Sequence, residues 1–158
     1  MRVTHGFGAF FNANSEILIL GSFPSVKSRE DAFYYAHPQN RFWRVLAAVY
    51  ECPLPSTTDE KKTLLASNKL ALWDVVEECD IEGSSDATIK NVTPTEITEL
   101  LPKTNIKRVI LNGRTAERYF RRYFPDFPLP AVTLPSTSPA NAAWSLDRLT
   151  AVWGDALK

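Results

Sequence analysis

Four short apolar runs separated by segments of helical periodicity constrain this chain more than any other feature. The runs are EILILG (16–21), LALWDVV (70–76), KRVILNG (107–113) and AVTLPS (131–136). Each is continuously apolar over most of its length, so neither face of the strand it forms can be left to water. Such strands belong in a parallel sheet, and parallel neighbours need crossover connections, usually helices. Helical segments fall between the runs. NRFWRVLAAVY (40–50) spaces Phe42, Val45, Leu46 and Val49 along one face, with Asn40 in the N-cap position. TTDEKKTLLAS (57–67) puts acids before lysines, the order a helix dipole favours. TPTEITELL (93–101) reads as a short helix with Pro94 in its first turn and Glu96 as a capping-box partner. RTAERYFRRYF (114–124) and NAAWSLDRLTAVWGDAL (141–157) read as two more helices, the last burying Trp144, Leu146, Leu149, Val152 and Trp153. The polar stretch CDIEGSSDATIKN (79–91) reads as an exposed or functional loop. The expected fold is α/β: three layers, α/β/α, around a four-stranded, mainly parallel central sheet, in one domain over residues 1–158.

Composition narrows the function. The chain has 158 residues, 44% of them hydrophobic, enough for a core without disulfide or metal staples. Its 18 basic and 18 acidic residues cancel, so any contact with nucleic acid has to come from a local patch and not from a global field. Cys52 and Cys79 have no metal-ligand or CxxC spacing, and reduced thiols in a cytoplasmic protein are the expectation. No signal peptide is apparent, and no apolar run approaches the ~20 residues that span a bilayer, so no membrane partner is expected. There is no Walker loop, GxGxxG, GxSxG or HExxH motif, and His5 and His37 are the only histidines. A nucleotide hydrolase and a metalloenzyme are therefore disfavoured; no cofactor and no metal are expected.

Ligands of open α/β sheets gather at the carboxyl ends of the strands. Four stretches arrive there: GSFPS (21–25), WDVVEE (73–78), NGRTA (112–116) and LPSTSPANA (134–142). Turns rich in glycine, serine and proline expose backbone N–H groups that suit a phosphate or an oxyanion. The decamer YYAHPQNRFW (34–43) adds flat rings and polar groups in unusual density.

GSFPS, AHPQNRFW and LPSTSPANA, in that order along essentially the whole chain, resemble the uracil-DNA glycosylase superfamily. AHPQNRFW looks like the mismatch-specific uracil/thymine branch, and the full set looks closer to the hypoxanthine-DNA (deoxyinosine) branch. The resemblance implies a monofunctional N-glycosyl hydrolase that flips deaminated bases from DNA and excises them, hypoxanthine first, with uracil and xanthine as further substrates. It implies DNA as the partner, and a monomer is expected. Tyr35 is then the platform on which the flipped base stacks. Asn40 is the catalytic residue, its amide positioning a water. The N–H groups of Ser22 and Phe23 face the base's carbonyl oxygens, and Asp74 accepts a ring N–H. His37 and Asn112 are further candidates around the base. Ser25, Arg41, Gly113, Ser136, Thr137 and Ser138 are candidates for DNA contact, with Arg44, Arg114 and Lys27 adding positive charge.

Two positions depart from the superfamily's pattern. Phe23 stands where an Asp or Asn usually positions the water, and Leu134 where a His or Asn usually holds the base's oxygen. The small residues Ser138, Pro139 and Ala140 promise only a weak wedge into the duplex, hence modest opposite-base discrimination. The two apolar substitutions also leave room for an alternative, a non-catalytic α/β module that binds nucleic acid or a free nucleobase.

Overall fold

The computed structural model describes all residues, Met1–Lys158. The central sheet is formed by β2 (Ile17–Gly21), β3 (Leu70–Asp74), β6 (Arg108–Asn112) and β7 (Ala131–Leu134). Its order is β3-β2-β6-β7 and every neighbouring pair is parallel. A smaller antiparallel sheet, β1-β4-β5, is made by β1 (Arg2–Thr4), β4 (Val76–Asp80) and β5 (Lys90–Pro94). The helices are α1 (Val26–Asp31), α2 (Phe42–Val49), α3 (Thr58–Ser67), α4 (Arg114–Tyr123) and α5 (Leu146–Leu157). The four apolar runs thus become the four central strands, and the fold is three-layered α/β/α.

The two-residue period of a strand divides the runs between two cores. Ile17, Ile19, Leu70, Leu72 and Ile110 face one side, with Phe42, Leu46, Leu64, Leu149 and Trp153 of α2, α3 and α5. Leu18, Leu20, Ala71, Val109 and Leu111 face the other, with Tyr119 and Phe120 of α4, and Val76 and Cys79 of the small sheet. Burial on both faces explains why the first three runs show no polar alternation, while β7 at the edge leaves Val132 exposed. Residues before the first run guard the outer edge of β3. Phe10 exchanges two backbone hydrogen bonds of 2.9 Å with Leu72, leaving that stretch of the edge closed to other chains.

Several expectations need correction. The run 70–76 is two strands, because the chain leaves the central sheet at Val75 and enters the small one at Val76. The polar stretch 79–91 is not a plain loop: β4 ends in it, β5 begins in it, and a 3-10 turn (Asp86–Thr88) lies between. No α-helix covers 93–101. Pro94 closes β5, which is an edge strand where a missing N–H costs nothing, and a 3-10 turn spans Ile97–Lys103. Glu96 makes no capping bond there. Helix α5 starts at Leu146, not 141, where Ser145 accepts the N–H of Arg148, and Leu146 itself is exposed. Helix α2 starts at Phe42; Asn40 caps it from one residue further out than expected, its Oδ1 accepting the Phe42 N–H at 3.0 Å. Helix α3 is as read, with the Thr57–Glu60 capping box complete.

Trp153 shows how α5 is fastened. It is fully buried, meets Phe42 edge-on at 6.0 Å and donates its indole N–H to the carbonyl of Pro135 at 3.0 Å. It therefore ties α5 both to α2 and to the segment leaving β7. Trp153→Ala should cost roughly 3–5 kcal/mol of stability. Urea denaturation measures this; a loss below about 1 kcal/mol would show that the site collapses around the gap.

Candidate active site

Parallel register brings the ends of the central strands level. Gly21 lies opposite Asp74, and Asn112 opposite Leu134. The order in which the strands are laid down reverses about β2, with β3 on one side of it and β6 on the other, and a crevice at such a switch point is where ligands bind. Gly21 is the tightest point. A Cβ there would stand 2.5 Å from Asp74 Oδ1 and 3.1 Å from the Tyr35 hydroxyl, so only glycine leaves room for both groups.

Asp74 is 3% exposed. Its Oδ2 lies 2.8 Å from His5 Nε2, and in a carboxylate–imidazole pair the nitrogen donates. His5 is equally buried, and Phe7, Tyr34 and Phe23 ring it at 4.4, 5.7 and 6.4 Å. A buried carboxylate needs such a partner, and the fold supplies it from just beyond β1. Sequence reasoning gave His5 no role. Its partner lies 69 positions away, and the only local signal was a histidine beside an aromatic stretch.

Tyr35 has φ of +53°, a left-handed backbone that side chains rarely adopt. Strain of that kind is held only where packing over-determines it. Here Phe42 stacks on the ring, centroids 4.1 Å apart and planes 25° off parallel. The ring is partly exposed, while the hydroxyl is buried and has no hydrogen-bond partner. Burial first, and then the charge of Asp74, push the phenol well above its ordinary range, against a smaller pull from Asn112, so it stays protonated. A buried, unpaired hydroxyl between Gly21, Asp74 and Asn112 is the kind of exception that marks functional sites.

Asn40 and Tyr35 converge on one residue: the Phe42 ring stacks on Tyr35, and the Phe42 backbone N–H donates to Asn40 Oδ1. His37 is exposed on the same turn, where Nδ1 accepts the N–H of Gln39 at 3.1 Å. In the first turn, the amides of Ser22 and Phe23 donate to no acceptor of the chain, although the Ser22 carbonyl accepts from Val76 N–H. The Phe23 side chain is buried in the second core, under the Arg29 guanidinium at 5.6 Å. Ser25 caps α1, accepting the Ser28 N–H at 3.1 Å.

The last turn is built differently from the expectation. Thr137 is fully buried and clasped by Asn112, whose Nδ2 lies 3.0 Å from Thr137 Oγ1 and whose Oδ1 accepts the Thr137 N–H at 3.1 Å. Neither residue presents its side chain to a phosphate; together they lock the turn to β6. Arg41 likewise points inward. Its guanidinium donates to the carbonyls of Ser138 and Asn141, both at 3.0 Å, and to that of Trp144. It organises the turn instead of facing solvent. Ser136 Oγ accepts the Ser138 N–H, and Ser138 Oγ the Ala140 N–H, both at 3.1 Å. Gly113, at φ +98°, passes so close to Ser136 that a Cβ would meet its side chain at 2.9 Å. Leu134 belongs to the first core. Arg44 and Arg114 are exposed, and Lys27 pairs with Asp31 at 3.2 Å.

A cleft of about 460 Å³ includes Tyr50, Cys52, Glu60 and Leu64 in its lining and no residue of this cluster. No group of three or more His, Cys, Asp or Glu residues is placed to hold a metal ion.

The profile of the Uracil DNA glycosylase superfamily matches residues 9–157, nearly the whole chain and every element of the site except His5. The chain belongs to that superfamily. Among its relatives in this superfamily is a protein of Methanosarcina acetivorans named hypoxanthine DNA glycosylase, 35% identical over 150 residues, which covers 92% of this chain and 93% of the relative. A protein of Methanosarcina barkeri with the same name is 36% identical over 116 residues, covering 72% of this chain and 73% of the relative. A solution NMR structure from Methanosarcina acetivorans, named as a candidate uracil DNA glycosylase, superposes with a TM-score of 0.85 at 30% identity, over 99% of this chain and 97% of that one. At the strand-end cluster an aromatic ring, unengaged backbone amides and a buried carboxylate meet.

The close approach at Gly21 gives a direct test. Gly21→Ala should destabilise the fold by about 1–3 kcal/mol, because the added methyl must push Asp74 off His5 or Tyr35 off its seat. Denaturation curves of variant and parent decide it; equal midpoints would mean that the two side chains yield freely.

Proposed function

We propose that this protein is a DNA repair glycosylase that flips deaminated bases out of DNA and hydrolyses their bond to the sugar, leaving an abasic site. Hypoxanthine is the first substrate, with uracil and xanthine sharing its reactive edge. The observation that carries the reading is the joint anchoring of Tyr35 and Asn40 on Phe42 at the carboxyl ends of the central strands. The names of the Methanosarcina relatives support hypoxanthine as the base.

The roles follow from the chemistry. A flipped base loses its stacking in the duplex, and an aromatic face restores roughly 1–3 kcal/mol of it; the accessible part of Tyr35 serves there. As the glycosidic bond breaks, its electron pair leaves with the base and the sugar becomes cation-like. The unengaged N–H groups of Ser22 and Phe23 stabilise the negative charge growing on the base's carbonyl oxygen. Water then attacks C1′ and gives its proton to solvent. An amide oxygen has two lone pairs, so Asn40 Oδ1 can hold the Phe42 N–H with one and that water with the other. This is positioning and not proton removal, since an amide is no base. The scheme uses no amine nucleophile, metal or organic cofactor, so the enzyme is monofunctional, and it needs only one copy of the chain.

Oligonucleotides carrying a single deoxyinosine or deoxyuridine, incubated with chelator and then heated in alkali, report the abasic product as a cut strand. Cleavage at deoxyinosine is expected in duplex and single strands alike. Binding to the lesion without base release would replace the enzyme by a binding module. Asn40→Ala should slow single-turnover excision on the order of 100-fold or more, with DNA affinity nearly kept. The variant also loses a cap worth about 0.5–2 kcal/mol, so rates are compared well below its melting temperature. Excision at the parental rate would remove Asn40 from the mechanism.

A further inference from the structure

Asp86 lies in a segment to which the sequence assigned no chemistry, and the fold carries it to the first turn. After β4 the chain runs along the start of α1: Ser84 Oγ accepts the Val26 N–H at 2.9 Å, and the Gly83 carbonyl accepts from Arg29 at 2.8 Å. The 3-10 turn that follows sets the Asp86 carboxylate against Ser22, whose hydroxyl is 3.1 Å from Oδ1 and 3.0 Å from Oδ2. The carboxylate is half-buried. The charged groups facing it are Asp74 at the end of β3 and Arg118 on α4, and the Cys79 thiol of β4 lies within its field. Burial raises its pKa above the ordinary aspartate value; the Ser22 hydroxyl works against this and Asp74 adds to it. The fold therefore keeps an acid where its charge is disfavoured, which structural acids seldom need and functional ones often do.

Deamination changes one edge of a base. Adenine and cytosine present an amino group beside a ring nitrogen with a lone pair. Hypoxanthine, xanthine and uracil present a carbonyl beside a ring N–H. The complement of that edge is a donor beside an acceptor. The Ser22 and Phe23 amides are the donors, and the carboxylate hydrogen-bonded to the Ser22 side chain is the acceptor next to them. Asp74 is the other carboxylate at hand, but its Oδ2 is bound to His5 and its Oδ1 is pressed against Gly21 at 3% exposure. We propose that Asp86 accepts the ring N–H of the deaminated base, beside the Ser22 and Phe23 amides on its carbonyl, and so makes the deaminated edge the one the site selects. The inference rests on the glycosylase reading and names its specificity residue. A carboxylate in that place also repels the lone pair of adenine or cytosine.

The test compares excision of deoxyinosine with that of 1-methyldeoxyinosine, which lacks the ring N–H, in the parent, Asp86→Asn and Asp86→Ala. The parent should prefer deoxyinosine. Asp86→Ala should lose roughly 10- to 100-fold on deoxyinosine, the worth of a charged hydrogen bond, and the preference should narrow. In the parent the rate should fall as pH drops through the raised pKa of Asp86 and the acceptor is protonated; Asp86→Asn should lack that acidic limb. Because the folded pKa is raised, the ionised form costs stability above it, so Asp86→Asn should melt no lower than the parent at neutral pH. A purely structural Asp86 would lower stability and slow both substrates equally, and that result, or parental rates in both variants, overturns the proposal. If Asp86→Ala does not fold, Asp86→Asn still decides through the acidic limb. A parent that releases no hypoxanthine at all brings down the glycosylase reading and this inference with it.

Discussion

The whole site hangs on a missing side chain. Parallel pairing places Gly21 and Asp74 side by side at the end of the ladder, and because Gly21 has no Cβ, the carboxylate and the Tyr35 hydroxyl can both close over the strand. The buried charge of Asp74 then requires His5, and His5 in turn requires the aromatic shell of Phe7, Tyr34 and Phe23. The N-terminal segment is thus fastened to the carboxyl end of β3 through one hydrogen bond of 2.8 Å, backed by the His5 N–H bonding the Glu77 carbonyl at 2.7 Å. Breaking the pair would leave either partner polar and buried, far worse than replacing both.

The same economy explains the two apolar residues at positions where the resemblance led to an expectation of polar ones. Phe23 fills the second core beneath Arg29, and Leu134 fills the first. Leu134 follows the strand period of β7 into the interior, and Phe23 enters it from the bend after β2, so neither could bear a polar group without leaving it unsatisfied. The Phe23 backbone, however, remains in the turn. Under the proposed scheme the work of the site passes to backbone amides, to Asn40 and to side chains that arrive from outside the turn.

What could be read from the sequence follows the range of the forces involved. The central strands were legible because burial writes itself into consecutive residues, and α3 because acids placed before lysines follow the helix dipole within a single short segment. The small sheet was not, since its strands are polar outside, β1 pairs with β4 more than seventy positions away, and the β4–β5 pairing is broken by register shifts. Pro94 and Glu96 mimicked helix-start chemistry while belonging to an edge strand and a 3-10 turn. Tyr35 and Asn40 could be picked out from their setting in YYAHPQNRFW, a stretch that serves the core as well as the proposed site. Arg41 and Thr137 could not be placed, because an arginine bonding three carbonyls and a threonine clasped by Asn112 look, in sequence, like any polar residues of a DNA-binding turn. His5 and Asp86 were invisible for the same reason: each acquires its meaning from a partner more than sixty positions away.

These long-range partners also divide the site into a rigid half and an adjustable one. Phe42 packs into the first core and holds both Tyr35 and Asn40, so the proposed platform and the proposed water site move together if they move at all. Asn112, Thr137 and Arg41 hold the last turn with bonds that are buried or point inward. The segment bearing Asp86 is held instead by the Ser22 hydroxyl, shared between the two carboxylate oxygens, and by one hydrogen bond each to Val26 and Arg29, over residues 82–85 that are exposed throughout. Few buried contacts mean a low local opening energy. An acceptor carried on such a segment can draw back to admit a flipped base and return to test its edge, while the platform beneath stays fixed. Selectivity and catalysis would then reside on different elements, which lets the sequence of one change without disturbing the geometry of the other.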